Sequence, residues 1–165
     1  MSKEFRDLFV AELRDVYSAE NQILKALPKM VKAAQNKELK AAFSAHLAAS
    51  KVHVERLNGI FQSFGLSKKG KLCKGMEGLL AEGAEVIAED LPGAVKDAAL
   101  IAAAQRVEHY EMAAYGCLRA FAKALGELET ARVLQTTLDE EGDADRLLSQ
   151  IAEFAVNLEA ADFTG

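Results

Sequence analysis

Leu100-Ile-Ala-Ala-Ala-Gln-Arg-Val-Glu-His-Tyr-Glu-Met-Ala-Ala-Tyr-Gly-Cys-Leu-Arg-Ala-Phe-Ala-Lys-Ala-Leu125 reads as one long amphipathic helix. Steps of three and four trace a seam through Leu100, Ala104, Val107, Glu111, Ala114, Leu118, Phe121 and Leu125, the spacing of a single buried helical face. Every member is apolar except Glu111. The adjoining row of Ile101, Ala104, Glu108, Glu111, Tyr115 and Leu118 turns Glu108 to the same side. Gly126 follows, a residue suited to the left-handed conformation that closes a helix.

Working outward, the spacing predicts helices over about 3–32, 37–64, 76–89, 94–125 and 127–159, the last followed by a short tail. Gln35-Asn36 reads as a turn, Pro28 weakens the end of the first helix, and Gly65 with Ser67-Lys-Lys-Gly-Lys71 ends the second. Asp90-Leu-Pro-Gly93 separates the short third helix from the fourth. Short links make each long pair antiparallel neighbours. The expected architecture is therefore all-α, an antiparallel four-helix bundle with an additional short helix between the two helix pairs. Residues 1–165 form one domain.

Composition agrees. The chain has 165 residues, half of them apolar, with only 2 Pro and no Trp, enough for one core and too apolar for disorder. With 25 acidic residues against 20 Lys and Arg, the net charge of -5 lacks the positive field that nucleic-acid binding needs. The longest apolar run, Ala98 to Ala104, is far below the ~20 residues that cross a bilayer. The opening Met1-Ser-Lys-Glu leads into an amphipathic segment, so no signal peptide is expected. Cys73, near a loop, and Cys117, expected in the core, make neither a disulfide framework nor a zinc knuckle. A cytoplasmic protein with reduced thiols is expected, with no nucleic-acid and no membrane partner.

The other long seams break in the same way. The first runs Phe9, Leu13, Val16, Glu20, Leu24, Leu27, Val31; the second runs Leu39, Phe43, His46, Ser50, His53, Leu57, Ile60, Phe64. The fifth runs Leu134, Leu138, Glu141, Asp145, Leu148, Ala152, Ala155. Folding back at 35–36 sets Glu20 level with about position 51, between Ser50 and His53. Folding back at Gly126-Glu127 sets Glu108 and Glu111 level with Asp145 and Glu141. Glu20, His53, Glu108, Glu111, Glu141 and Asp145 thus converge on one interior level. A buried carboxylate costs several kcal/mol unless paired, protonated or bound to a cation. Arg106 and Lys51 lie only near these seams. Carboxylates with imidazole on facing helices suit one or two ions of iron or manganese. On this reading His46 is structural, more than a turn from Glu20. His109 points about 100° away from Glu108, towards a supporting or interface position, and Tyr17, Tyr110 and Tyr115 could donate to carboxylates near a metal, with amphipathic packing the expected role.

At Leu13-Arg-Asp-Val-Tyr-Ser-Ala-Glu20, Cys73-Lys-Gly-Met-Glu-Gly-Leu79, Asp97-Ala-Ala-Leu-Ile-Ala-Ala-Ala-Gln105, Val107-Glu-His-Tyr-Glu111 and Thr137-Leu-Asp-Glu-Glu141 the chain resembles the YciE/YciF family of ferritin-like bacterial stress proteins. The resemblance covers nearly the full length. It implies a ferritin- or rubrerythrin-like bundle, a homodimer and a stress-associated role of undefined biochemistry. The wider ferritin-like pattern, a Glu from each of two helices and Glu-x-x-His from each of the others, maps onto Glu20, Glu108 or Glu111, and Glu141, with Asp145 in place of a histidine. The second helix departs, with Ala48 and Ala49 where the family carries acids after His46-Leu47, which leaves His53 as its donor. Two functions follow as expectations: a metalloprotein that handles peroxide or oxygen, and a non-catalytic stress protein acting through its surface and dimer interface. Iron storage in a shell fits a dimer poorly.

Overall fold

The computed structural model describes residues 2–162. Its helices are α1 (Lys3–Ala33), α2 (Lys37–Ser63), α3 (Lys74–Ala88), α4 (Gly93–Ala124) and α5 (Leu128–Ile151). After α5 the chain widens to an i→i+5 turn over Ala152–Val156 and ends in α6 (Asn157–Ala161). The all-α expectation holds. The fifth helix is interrupted where the sequence reading made it continuous to 159, and the tail beyond residue 162 lies outside the described residues. Pro28 sits inside α1 without ending it, because Leu27 and Met30 on either side are anchored in the core.

Local chemistry places the ends. Asn36 Oδ1 accepts from the backbone N–H groups of Glu38 and Leu39 at 2.9 and 3.0 Å, capping α2. Gly65 and Gly126 adopt φ of +62° and +77°. There Leu66 N donates to Phe61 O and Glu127 N to Ala122 O, both at 2.9 Å, which closes α2 and α4 with paired terminal hydrogen bonds.

The long helices pack in the cyclic order α1, α2, α5, α4, with α3 laid over the seam between α1 and α4. Phe5 of α1 meets Phe121 near the end of α4 edge-to-face at 5.2 Å. At the opposite end, buried Asp97 at the start of α4 accepts from Gln35 N at 2.8 Å and Asn36 N at 2.6 Å. α2 and α4 therefore start at the same end and run parallel across the diagonal. The crossover joining them, which carries α3, spans the bundle.

Two apolar blocks fill the ends. One gathers Phe9, Leu13, Leu57, Phe61, Leu118 and Leu134; the other gathers Met30, Leu39, Phe43, Leu100, Leu148 and Ile151. A polar layer lies between them. Ala19, Ile23, Leu27, Cys73, Met76 and Val107 bind α3 to the bundle. Cys73 is buried as cap of α3, its thiol accepting from Met76 N. Cys117 corrects the sequence reading: it is exposed, because the buried stripe of α4 passes through Tyr115 and Leu118 and leaves position 117 on the outer face.

Candidate metal centre

The middle layer takes its side chains from every long helix: Glu20 from α1, His46, Ser50 and His53 from α2, Glu108 and Glu111 from α4, and Glu141 from α5. All are buried. They form two groups. In one, donor atoms of His46, Glu108, Glu111 and Glu141 lie within 4.8 Å of one another; in the other, those of Glu20, His53 and Glu141 do. Glu141 belongs to both.

In the first group His46 Nε2 is 3.5 Å from Glu108 Oε1 and 3.8 Å from Glu111 Oε2, and its Nδ1 is 3.8 Å from Glu141 Oε2. In the second, His53 Nδ1 is 2.9 Å from Glu141 Oε1 and 3.3 Å from Glu20 Oε1. Neither contact is aligned as a hydrogen bond. The outer nitrogen, His53 Nε2, lies 2.8 Å from Glu140 Oε2, and Arg56 clamps that carboxylate with two bonds of 2.6 and 2.9 Å. Tyr115 OH donates to Glu20 Oε1 at 2.5 Å. An imidazole fixed by a carboxylate on one nitrogen and aimed at acids with the other is how metal-binding histidines are held.

Charge in the layer is divided unevenly. Burial pushes the Glu108 and Glu111 carboxyls well above the ordinary range, and the charge on Glu141 adds to it. Burial also raises Glu20. Burial would raise Glu141 as well, but His53 and His46 outweigh it and hold that carboxyl low. For His53, burial would lower the pKa, but Glu141 and Glu20 outweigh it and lift it to about 10. Burial depresses His46. Without an ion, these shifts favour an ionised Glu141 against a His53 imidazolium and favour the neutral forms of Glu108 and Glu111.

These arrangements leave much unsatisfied. Buried atoms with no hydrogen-bond partner in the protein include Glu20 Oε2, His46 Nε2, Glu108 Oε2 and both oxygens of Glu111 and Glu141. Orphaned buried polar atoms are rare in native interiors and call for an unseen water or ion. The donor inventory fits an oxygen- and nitrogen-loving divalent metal. Ferritin-like bundles use four Glu and two His, with each His three residues after a Glu. Here the six donors are all present but redistributed: both imidazoles come from α2, and α4 supplies Glu108-x-x-Glu111.

The structure brings together five of the residues expected from the sequence, Glu20, His53, Glu108, Glu111 and Glu141. It places Asp145 elsewhere, accepting from Gln105 Nε2 at 3.1 Å and lying 3.3 Å from His109 Nε2 at the bundle rim. Four residues advance a helix by about 40° beyond a full turn, which rotates Asp145 away from Glu141. His46 is the residue that sequence reasoning set aside: it was levelled against Glu20, whereas its neighbours are on α4 and α5. The departure in α2 also moves. With His53 as donor, the Glu of a Glu-x-x-His pair belongs at position 50, and Ser50 stands there, buried with its Oγ unpartnered.

The profile of a family described as "Domain of unknown function (DUF892)" matches residues 4–161. The chain belongs to the DUF892 family. It is 43% identical to protein YciF of Escherichia coli strain K12 over 159 residues, 96% of each chain. The crystal structure of YciF, described as a stress protein, superposes with a TM-score of 0.90, covering 94% of this chain and 99% of that one. The YcfI protein of Rhodopseudomonas palustris, 41% identical, gives 0.87 over 92% of this chain and 99% of its own. A Xanthomonas campestris protein at 19% identity gives 0.75 over 96% and 99%, which shows the shared fold. In this DUF892 chain no helix among the described residues is long and apolar enough to cross a membrane.

Proposed function

We propose that this DUF892 chain is a cytoplasmic stress protein, working as a homodimer, that binds iron or manganese, one or two ions, in its buried carboxylate layer. The observation that carries the reading is the set of buried Glu and His atoms without partners, facing one another across all four long helices. Glu141 is common to both groups, so it would be a ligand of an ion held by either. Iron or manganese held there supplies one-electron chemistry towards peroxide or dioxygen.

The chain's own residues set the conditions. His53 would give up a proton on loading, and the raised Glu108 and Glu111 carboxyls would bind in their ionised forms, because ligands bind metals in their basic forms. Glu140 and Arg56 keep the His53 ring oriented, and Tyr115 keeps a proton directed at Glu20. The apolar blocks close the layer above and below. A second reading, a non-catalytic stress protein, draws on the Glu141–His53 pair, which balances charge with no ion.

Anaerobic calorimetric titration with Mn(II) separates them. The metal reading expects saturable binding with at least one proton released per ion, seen as an enthalpy that changes with the buffer's ionisation heat, and loss of binding in Glu141→Gln. A folded wild-type chain that takes up no Mn(II) and no Fe(II) overturns it.

A further inference from the structure

A second feature of the bundle is a cavity of about 270 Å³ under α3, in the seam between α1 and α4. At roughly 30 Å³ per non-hydrogen atom, the share of a liquid water, it has room for about nine. Small side chains make the space. Gly83 and Ala84 on α3 face it beside Ala103 and Ala104 of α4, and a Cβ built on Gly83 meets nothing closer than Ala103 Cβ at 3.9 Å. Leu27, Met30, Ala104 and Val107, otherwise core residues, each keep 8–9% exposure along it. Its walls are aliphatic, with Leu27, Leu79, Leu80 and Ile87 among them.

Its charged lining residues differ in exposure. Lys25 and Lys29, four residues apart on α1, line the cavity and are solvent-exposed. Neither forms an ion pair among the described residues. The acid of the lining is Glu108, which is buried, with the buried His46 Nε2 3.5 Å from its Oε1. His46 Nε2 and Glu108 Oε2 are unpartnered there.

We infer that this cavity binds a medium-chain aliphatic anion, its head group between Lys25 and Lys29 and its chain lying under α3 towards Glu108 and His46. The lysine pair offers an anion two ammonium groups one helical turn apart, and burying the chain removes apolar surface from water on both partners. A cationic or zwitterionic amphiphile lacks the first of these. Binding at this site requires no metal, so its outcome is independent of that of the metal reading. It would nonetheless set the inner end of an occupant beside the candidate centre.

The test uses chelator-treated full-length protein, with decanoate as probe and calorimetry as readout. The expected result is saturable binding of one decanoate per chain. Gly83→Leu, which fills the space from α3, should weaken it by about tenfold or more, an effect of about 1.4 kcal/mol. The double variant Lys25→Glu/Lys29→Glu, altered only at exposed positions, should weaken decanoate similarly while leaving neutral decanol unchanged. Decyltrimethylammonium should bind wild type at least about tenfold more weakly than decanoate. Absence of saturable decanoate binding to wild type overturns the inference. So does full affinity in a folded Gly83→Leu chain or in the lysine variant, or equal affinity for the cationic probe.

Discussion

Glu141 is fully buried and belongs to both donor groups, which makes it the most consequential side chain of the layer. Glu141→Gln should abolish Mn(II) uptake at both positions, whereas Glu20→Gln should remove only the share held with His53; calorimetric stoichiometry distinguishes them. The same geometry fixes a pH dependence. His53 is raised from 6.5 to about 10 in the fold, so the metal-free protein gains stability from it that is fully present below about pH 6.5 and lost as pH rises through about 10. The raised carboxyls of Glu20, Glu108 and Glu111 act in the same direction, since each folded pKa lies above its unfolded value. The urea midpoint of the metal-free chain should therefore fall on going from pH 6.5 to pH 10, and His53→Gln should flatten that fall. Loaded protein should behave oppositely at the acid end, where protons compete with the ion. A metal-free chain whose midpoint rises over that interval would contradict the charge assignment.

At the scale of helices, the seams show why part of the centre could be read in advance. Glu20, Glu108, Glu111 and Glu141 each interrupt an apolar row, and a row is a property of one helix alone. His46 lies in such a row too, but its partners depend on α2 and α4 lying diagonal and parallel, a relation set by the crossover. The clamp of Arg56 on Glu140 and the anchoring of the α1–α2 turn by Asp97 join residues 84 and 62 positions apart, and no local pattern marks either. Asp97→Ala removes the carboxylate that accepts from two part-buried backbone N–H groups. It should cost about 1–3 kcal/mol, at about 0.5–1.5 kcal/mol net for each of the two hydrogen bonds lost, measured by urea unfolding, with Asp97→Asn in between. Metal stoichiometry should survive in chains that stay folded, because Asp97 sits at the bundle end, away from the layer.

For the whole molecule, the four-helix architecture was legible because Gly65, Gly126 and the 90–93 break punctuate long periodic segments. The interrupted last helix was not, since Ala152–Val156 keeps an ordinary amphipathic pattern while its hydrogen bonding widens. Leu147 on α5, Phe154 in the widened turn and Leu158 on α6 are 43%, 78% and 60% exposed. A homodimer that buries these side chains should scatter light as twice the 17.8 kDa chain mass, and Phe154→Asp should shift it towards monomer. A wild-type monomer at micromolar concentration would contradict that assembly.

The central claim is that the buried layer is a place for a metal. The most direct measurement is the metal content, by mass spectrometry, of protein purified without an affinity metal column or chelator, repeated on Glu108→Ala. The account predicts about one or two iron or manganese ions per chain in wild type and their loss from the folded variant. Wild-type protein that is folded and metal-free, and stays so after anaerobic loading with either metal, would contradict it.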